Sequence, residues 1–164
     1  EVPESENMVK GFEKLGYRTV GIGGVKWFSD KVMTTNIWNQ YFREMYYSDK
    51  FQEKEFNALQ YQIDLMKTLD LCSKKLFFFL NISSTHNPCR GNKSVIGQSK
   101  ALEYVDKYIM DVIDKLPKPL TLFLLSDHGT CFKSDGIVGH GFYHPKIMEI
   151  PMCVVDIPIK GGGN

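Results

Sequence analysis

Two short runs in this chain are almost wholly apolar, Lys75-Leu76-Phe77-Phe78-Phe79-Leu80 and Leu120-Thr121-Leu122-Phe123-Leu124-Leu125. Each is the length of a strand, and each follows a longer segment whose apolar residues recur at helical spacing. Strands that are apolar on both faces belong inside a sheet that is covered on both sides. Before the first run, Phe56, Leu59, Ile63, Leu65, Met66 and Leu69 predict a helix over 52–71. Before the second, Leu102, Val105, Tyr108, Ile109, Val112, Ile113 and Leu116 predict one over 94–116, closed by Pro117 and Pro119. Upstream, Met8, Val9, Phe12 and Leu15 mark a helix over 4–15 that stops at Gly16, and Tyr17 to Ile22 reads as a strand. Met152 to Ile157 reads as a last strand, and the aromatic stretch 26–48 suits core or interface packing. This alternation predicts an α/β fold, a mostly parallel sheet flanked by helices.

Composition narrows the class. A chain of 164 residues with 43% hydrophobic and 24% charged residues fits one α/β domain over 1–158, with 159–164 as a flexible tail. A net charge of +1 without a basic block argues against nucleic acid or a membrane surface as partner, and no apolar run is long enough to span a bilayer. Cys72, Cys89, Cys131 and Cys153 are scattered with no Cys-x-x-Cys pair, which excludes a zinc finger and argues against a disulfide scaffold. The chain begins at Glu1, as after removal of a leader or trimming, so the compartment stays open, with the cytoplasm favoured.

The chemistry is concentrated after the second run. There Ser126-Asp127-His128-Gly129 places a carboxylate beside an imidazole at a strand's carboxyl end, where open α/β sheets bind ligands. His140 follows His128 by twelve residues and His144 by sixteen, in Gly139-His140-Gly141-Phe142-Tyr143-His144-Pro145-Lys146. Asp127, His128, His140 and His144 thus form a candidate site for a divalent ion (zinc, manganese, calcium or magnesium), and each alone would be an ordinary loop residue. Parallel strands would bring Gly23-Gly24, His86 and Asp127-His128 to one sheet edge. Beside a metal, Lys146 would balance the charge of an anionic substrate, and Lys26 and Arg90 are weaker candidates of that kind.

These residues resemble the alkaline phosphatase superfamily, and its sulfatase-like branch in particular. Leu15-Gly16-Tyr17-Arg18-Thr19 with Ile22-Gly23 is similar to the sulfatase "GYrT" segment, and Phe78 to Ser83 with Thr85-His86-Asn87-Pro88 to its strand and "HxP" loop. Tyr104 to Leu116 is similar to the following helix, Ser126 to Gly129 to its metal-binding "SDHG", and His140 to Lys146 with Glu149-Ile150-Pro151 to its last motif. The resemblance runs over about 4–158. It implies that Asp127 and His128 are metal ligands, that His140 or His144 is a further ligand or substrate contact, and that His86 and Lys146 contact the phosphate or sulfate group. Phe28 stands where sulfatases carry a histidine, and the family's nucleophile precedes the segment matched by 15–23. The resemblance therefore implies an alkaline-phosphatase-like fold that is amino-terminally incomplete, with the nucleophile segment on another polypeptide or cut away.

The expected function is metal-dependent hydrolysis or transfer of phosphate or sulfate esters, with a small anionic ester as substrate and this chain alone inactive. The alternatives are a non-catalytic metal-binding or partner-binding domain, and a phosphomutase-like enzyme of the same superfamily. Sheet edges left open by missing strands would invite self-association or docking with an amino-terminal half.

Overall fold

A computed structural model describes residues 7–30, 37–86 and 94–159. The expected first turn of the opening helix at Glu4, the candidate Arg90, and the tail beyond Ile159 lie outside these residues. The elements are α1 (Met8–Lys14), β1 (Arg18–Ile22), α2 (Ile37–Tyr41), β2 (Glu44–Tyr46), α3 (Ala58–Thr68), β3 (Leu76–Leu80), α4 (Val95–Lys115), β4 (Leu120–Leu125), α5 (Pro145–Met148) and β5 (Met152–Ile157).

β1 is the centre of a parallel sheet in the order β2-β1-β3, with Val20 opposite both Glu44 and Phe78. Side chains alternate across a strand, so its two faces build two cores. Val20 and Ile22, with Leu76, Phe78 and Leu80 of β3, pack on Leu59, Ile63 and Met66 of α3 and on Tyr104 and Val112 of α4. On the opposite face, Phe77 and Phe79 pack with Val9 of α1 and with Tyr41 and Phe42 at the end of α2. Gly21 lies on that second face, and a Cβ there would stand 2.5 Å from Met45 Sδ, so the strand must be bare at this point. The aromatic stretch is therefore largely core, although Trp27 is exposed.

Helix limits follow local chemistry. The Asn7 side chain accepts from the Lys10 amide at 3.0 Å and caps α1, and the Ser94 side chain accepts from the Gly97 amide at 3.2 Å and caps α4. α3 is shorter than its periodicity predicts. The Gln52 side chain donates to Asp49 at 2.7 Å, and residues 49–57 form turns that bury Phe51 and leave Phe56 exposed. Leu102, counted with the apolar stripe of α4, is also exposed.

The largest departure is β4. It does not join the parallel sheet. It pairs antiparallel with β5, Leu120 opposite Ile157 through Leu125 opposite Met152, as a separate two-stranded sheet. One face of this ribbon, carrying Phe123, Leu125, Met152 and Val154, is open to solvent, with Phe123 60% exposed, and the other also leaves Leu124, Cys153 and Val155 exposed. The apolar run marks a strand correctly, but among the described residues nothing covers that face. The architecture is thus α/β, with a three-stranded parallel sheet between helices and a small antiparallel ribbon.

At the amino end of β1, Arg18 grips Glu44 of β2 through two bonds, Nε to Oε1 at 2.6 Å and Nη2 to Oε2 at 2.8 Å. The Tyr46 hydroxyl donates to the same carboxylate at 3.1 Å, and Arg18 also donates to the Asp70 carbonyl. The Arg18 guanidinium holds the Glu44 carboxyl below its ordinary value. A depressed folded pKa adds stability above the unfolded pKa, and that stability is lost as pH falls through the folded value. Glu44→Gln should therefore lower the urea midpoint at neutral pH and flatten its decline on acidification. Parallel decline of variant and wild type between about pH 5 and about pH 3 would show that the pair contributes nothing.

Candidate functional site

The segment after β3 is held at three points. The Asn81 side chain accepts from the Gly24 amide at 3.1 Å, its carbonyl accepts from Gln62 Nε2 at 2.9 Å, and Ser83 Oγ donates to the Phe51 carbonyl at 2.5 Å. Gly24 has no space for a side chain, since a Cβ would lie 2.3 Å from the Asn81 carbonyl oxygen. A 3₁₀ turn over Ser83–Thr85 then delivers His86, whose amide donates back to the Ser83 carbonyl at 2.9 Å.

The segment after β4 is folded on itself. Ser126 Oγ donates to the His128 carbonyl at 2.6 Å, and the Asp127 side chain accepts from the His128 amide at 3.0 Å. The Gly129 amide donates to the Ile147 carbonyl at 2.9 Å, and a Cβ on Gly129 would fall 1.8 Å from the Lys146 carbonyl oxygen. Only glycine permits that approach. Further on, Cys131 and Gly139 exchange both backbone hydrogen bonds at 2.9 Å. His140 sits between two left-handed glycines, Gly139 at φ 100° and Gly141 at φ 96°.

These two segments bring His86, His128 and His140 together. Their ring centroids are 4.2 Å apart for His128–His140, 5.8 Å for His86–His140 and 6.5 Å for His86–His128. One nitrogen of each lies within 4.8 Å of the others. His128 is half-buried, and the other two are exposed. His128 Nδ1 lies 2.8 Å from the Gly129 carbonyl oxygen, which can only accept. Nδ1 therefore carries the proton, and the lone pair of the neutral ring is on Nε2. This carbonyl-fixed imidazole is the usual state of a histidine ligand.

The other expected site residues fall around this trio. Asp127 is largely exposed, and its Oδ2 is 3.7 Å from His128 Nε2, at the rim. His144 is not one of the three. Its Nδ1 accepts from the Lys146 amide at 3.2 Å and caps α5. Lys146 Nζ is 2.5 Å from Asp135 Oδ1, which raises the lysine pKa and lowers that of the aspartate. Lys26 is exposed in a 3₁₀ turn beyond β1. Cys131 is buried in the loop that carries His140. Asp135 is not legible in the sequence as a partner of Lys146. It sits eleven residues from its lysine, and a lone acid before Gly136 carries no local signal.

The donors fit a borderline divalent ion such as zinc. Three imidazole nitrogens within 4.8 Å of one another would leave a coordination position open on such an ion. No protein-family model matches the chain, and no curated protein or solved structure matches it.

The Gly129 contact gives a direct test of how the site is built. Gly129→Ala should cost about 1–3 kcal/mol through overpacking against the Lys146 carbonyl. Thermal unfolding measures this, and an alanine variant as stable as the wild type would show that the turn at Gly129 is not locked against α5 there.

Proposed function

We propose that His86, His128 and His140 hold a divalent cation, with Asp127 at the rim, and that the site belongs to the handling of phosphate or sulfate esters in the manner of the alkaline phosphatase superfamily. The meeting of three imidazoles from two separate segments carries this reading. One nitrogen of each ring lies within 4.8 Å of the others, which is the donor set a borderline divalent ion takes. When bound, such an ion polarises an ester oxygen and offsets the charge that develops on the transferred group.

The chain's own groups have definable tasks. His128 is held as an Nε2 donor by its bond to the Gly129 carbonyl. The Asp127 carboxylate, beside Nε2 and open to solvent, supplies negative charge to the cation. Lys146 has one N–H on Asp135 and keeps two for an anionic substrate. A resident nucleophile is not assigned to any described residue. The attacking group would come from outside these elements.

Binding without catalysis is the second reading, and the exposed apolar face of the β4–β5 ribbon favours it. A surface with Phe123, Leu125, Met152 and Val154 side by side suits contact with another polypeptide or a second copy.

Titration with Co²⁺ and Zn²⁺ tests the proposal. One equivalent should bind, and His86→Ala, His128→Ala and His140→Ala should each weaken binding by at least about tenfold. Inorganic phosphate should then bind only to the metal-loaded protein. Absence of bound metal at saturating concentration would remove the proposal, and metal binding without anion binding would leave the second reading.

A further inference from the structure

We infer that Asp135 is a positioning residue for the three-imidazole cluster, acting through its ion pair with Lys146. The inference rests on the cation reading of that cluster.

The Asp135 side chain is only 9% exposed, although both its sequence neighbours are exposed. Both carboxylate oxygens are engaged. Oδ2 accepts from the Phe132 amide at 2.8 Å and closes the 3₁₀ turn Lys133–Asp135, which ends at Gly136 with φ 78°. Oδ1 accepts from Lys146 Nζ at 2.5 Å and reaches α5.

The two ends of this strut lead to the two imidazoles that are closest together. Phe132 follows Cys131, which is bridged to Gly139, and Gly139 precedes His140. On the other side, the Lys146 carbonyl fills the space left by Gly129, and the Gly129 carbonyl accepts from His128 Nδ1. The ion pair therefore fixes the tilt of the His140-bearing bridge against the His128-bearing turn.

A strut and a simple charge effect agree on loss of Asp135 and differ in sign on loss of Lys146. If Asp135 acted by its charge, its removal would weaken cation binding, and removal of Lys146 would strengthen it. If the pair acts as a strut, loss of either member weakens binding, and loss of both is no worse than loss of one.

Co²⁺ titration of the full chain, in buffer free of phosphate and sulfate, separates these. Cobalt absorption reports the ligand geometry, and amide hydrogen exchange at Cys131 and Gly139 reports the bridge. Asp135→Ala, Lys146→Met and the double variant should each lose about ten- to hundredfold in affinity, by similar factors, with altered absorption and faster exchange. Asp135→Asn keeps an acceptor for the Phe132 amide but not the charge that holds Lys146, and it carries the test if the alanine variant does not fold. Unchanged affinity in a folded variant, opposite shifts in the two single variants, or additive losses would overturn the inference. Failure of the wild type to bind Co²⁺ would overturn the cation reading and this inference with it, whereas binding by wild type and variants alike would overturn this inference alone.

Discussion

Burial of β1 on both faces is the constraint on which the rest depends. Val20 and Ile22 are sealed under α3 and α4, and Gly21 is bare so that Met45 and Phe42 can close the other side. A strand flanked on both edges and both faces cannot slip by one residue without reversing its two cores. Its carboxyl end is therefore a fixed point. The glycines at that end admit close neighbours: Gly23 makes room for Phe28, and Gly24 for the backbone of Asn81 and Ser83. His86 inherits its place from that contact.

The sequence disclosed those parts of the fold whose signal is local. Continuous apolarity marks β3, and 3.6-residue spacing marks α4 nearly to its ends. β2 escapes notice because three residues with a glutamate at their head look like loop, and only pairing with β1 makes them a strand. The turns before α3 escape because the Asp49–Gln52 bond competes with a helix that the apolar spacing would otherwise allow. β4 shows the limit of apolarity as a guide. It indicates that a strand should be covered, not which neighbour it takes, and among the described residues β4 pairs with β5 alone.

The site divides in the same way. The donors in Ser126 to Gly129 and Gly139 to Gly141 are legible as a group because they are dense in sequence. The entry of His86 into the same cluster depends on two chain segments meeting, which the expected sheet edge anticipates, though β4 is not part of that sheet. The separate use of His144 as a helix cap and of Lys146 as an ion-pair partner is visible only in three dimensions. Chemistry and scaffold are interleaved in this loop, so that adjacent residues serve different ends.

The three imidazoles do not all come from one layer. His86 hangs from the parallel sheet, while His128 and His140 belong to the segment that the antiparallel ribbon encloses. Ring-to-ring contact is thus a seam between a well-packed half and a sparsely covered one. Any ligand seated there would act as a rivet across the seam, touching side chains from both halves at once.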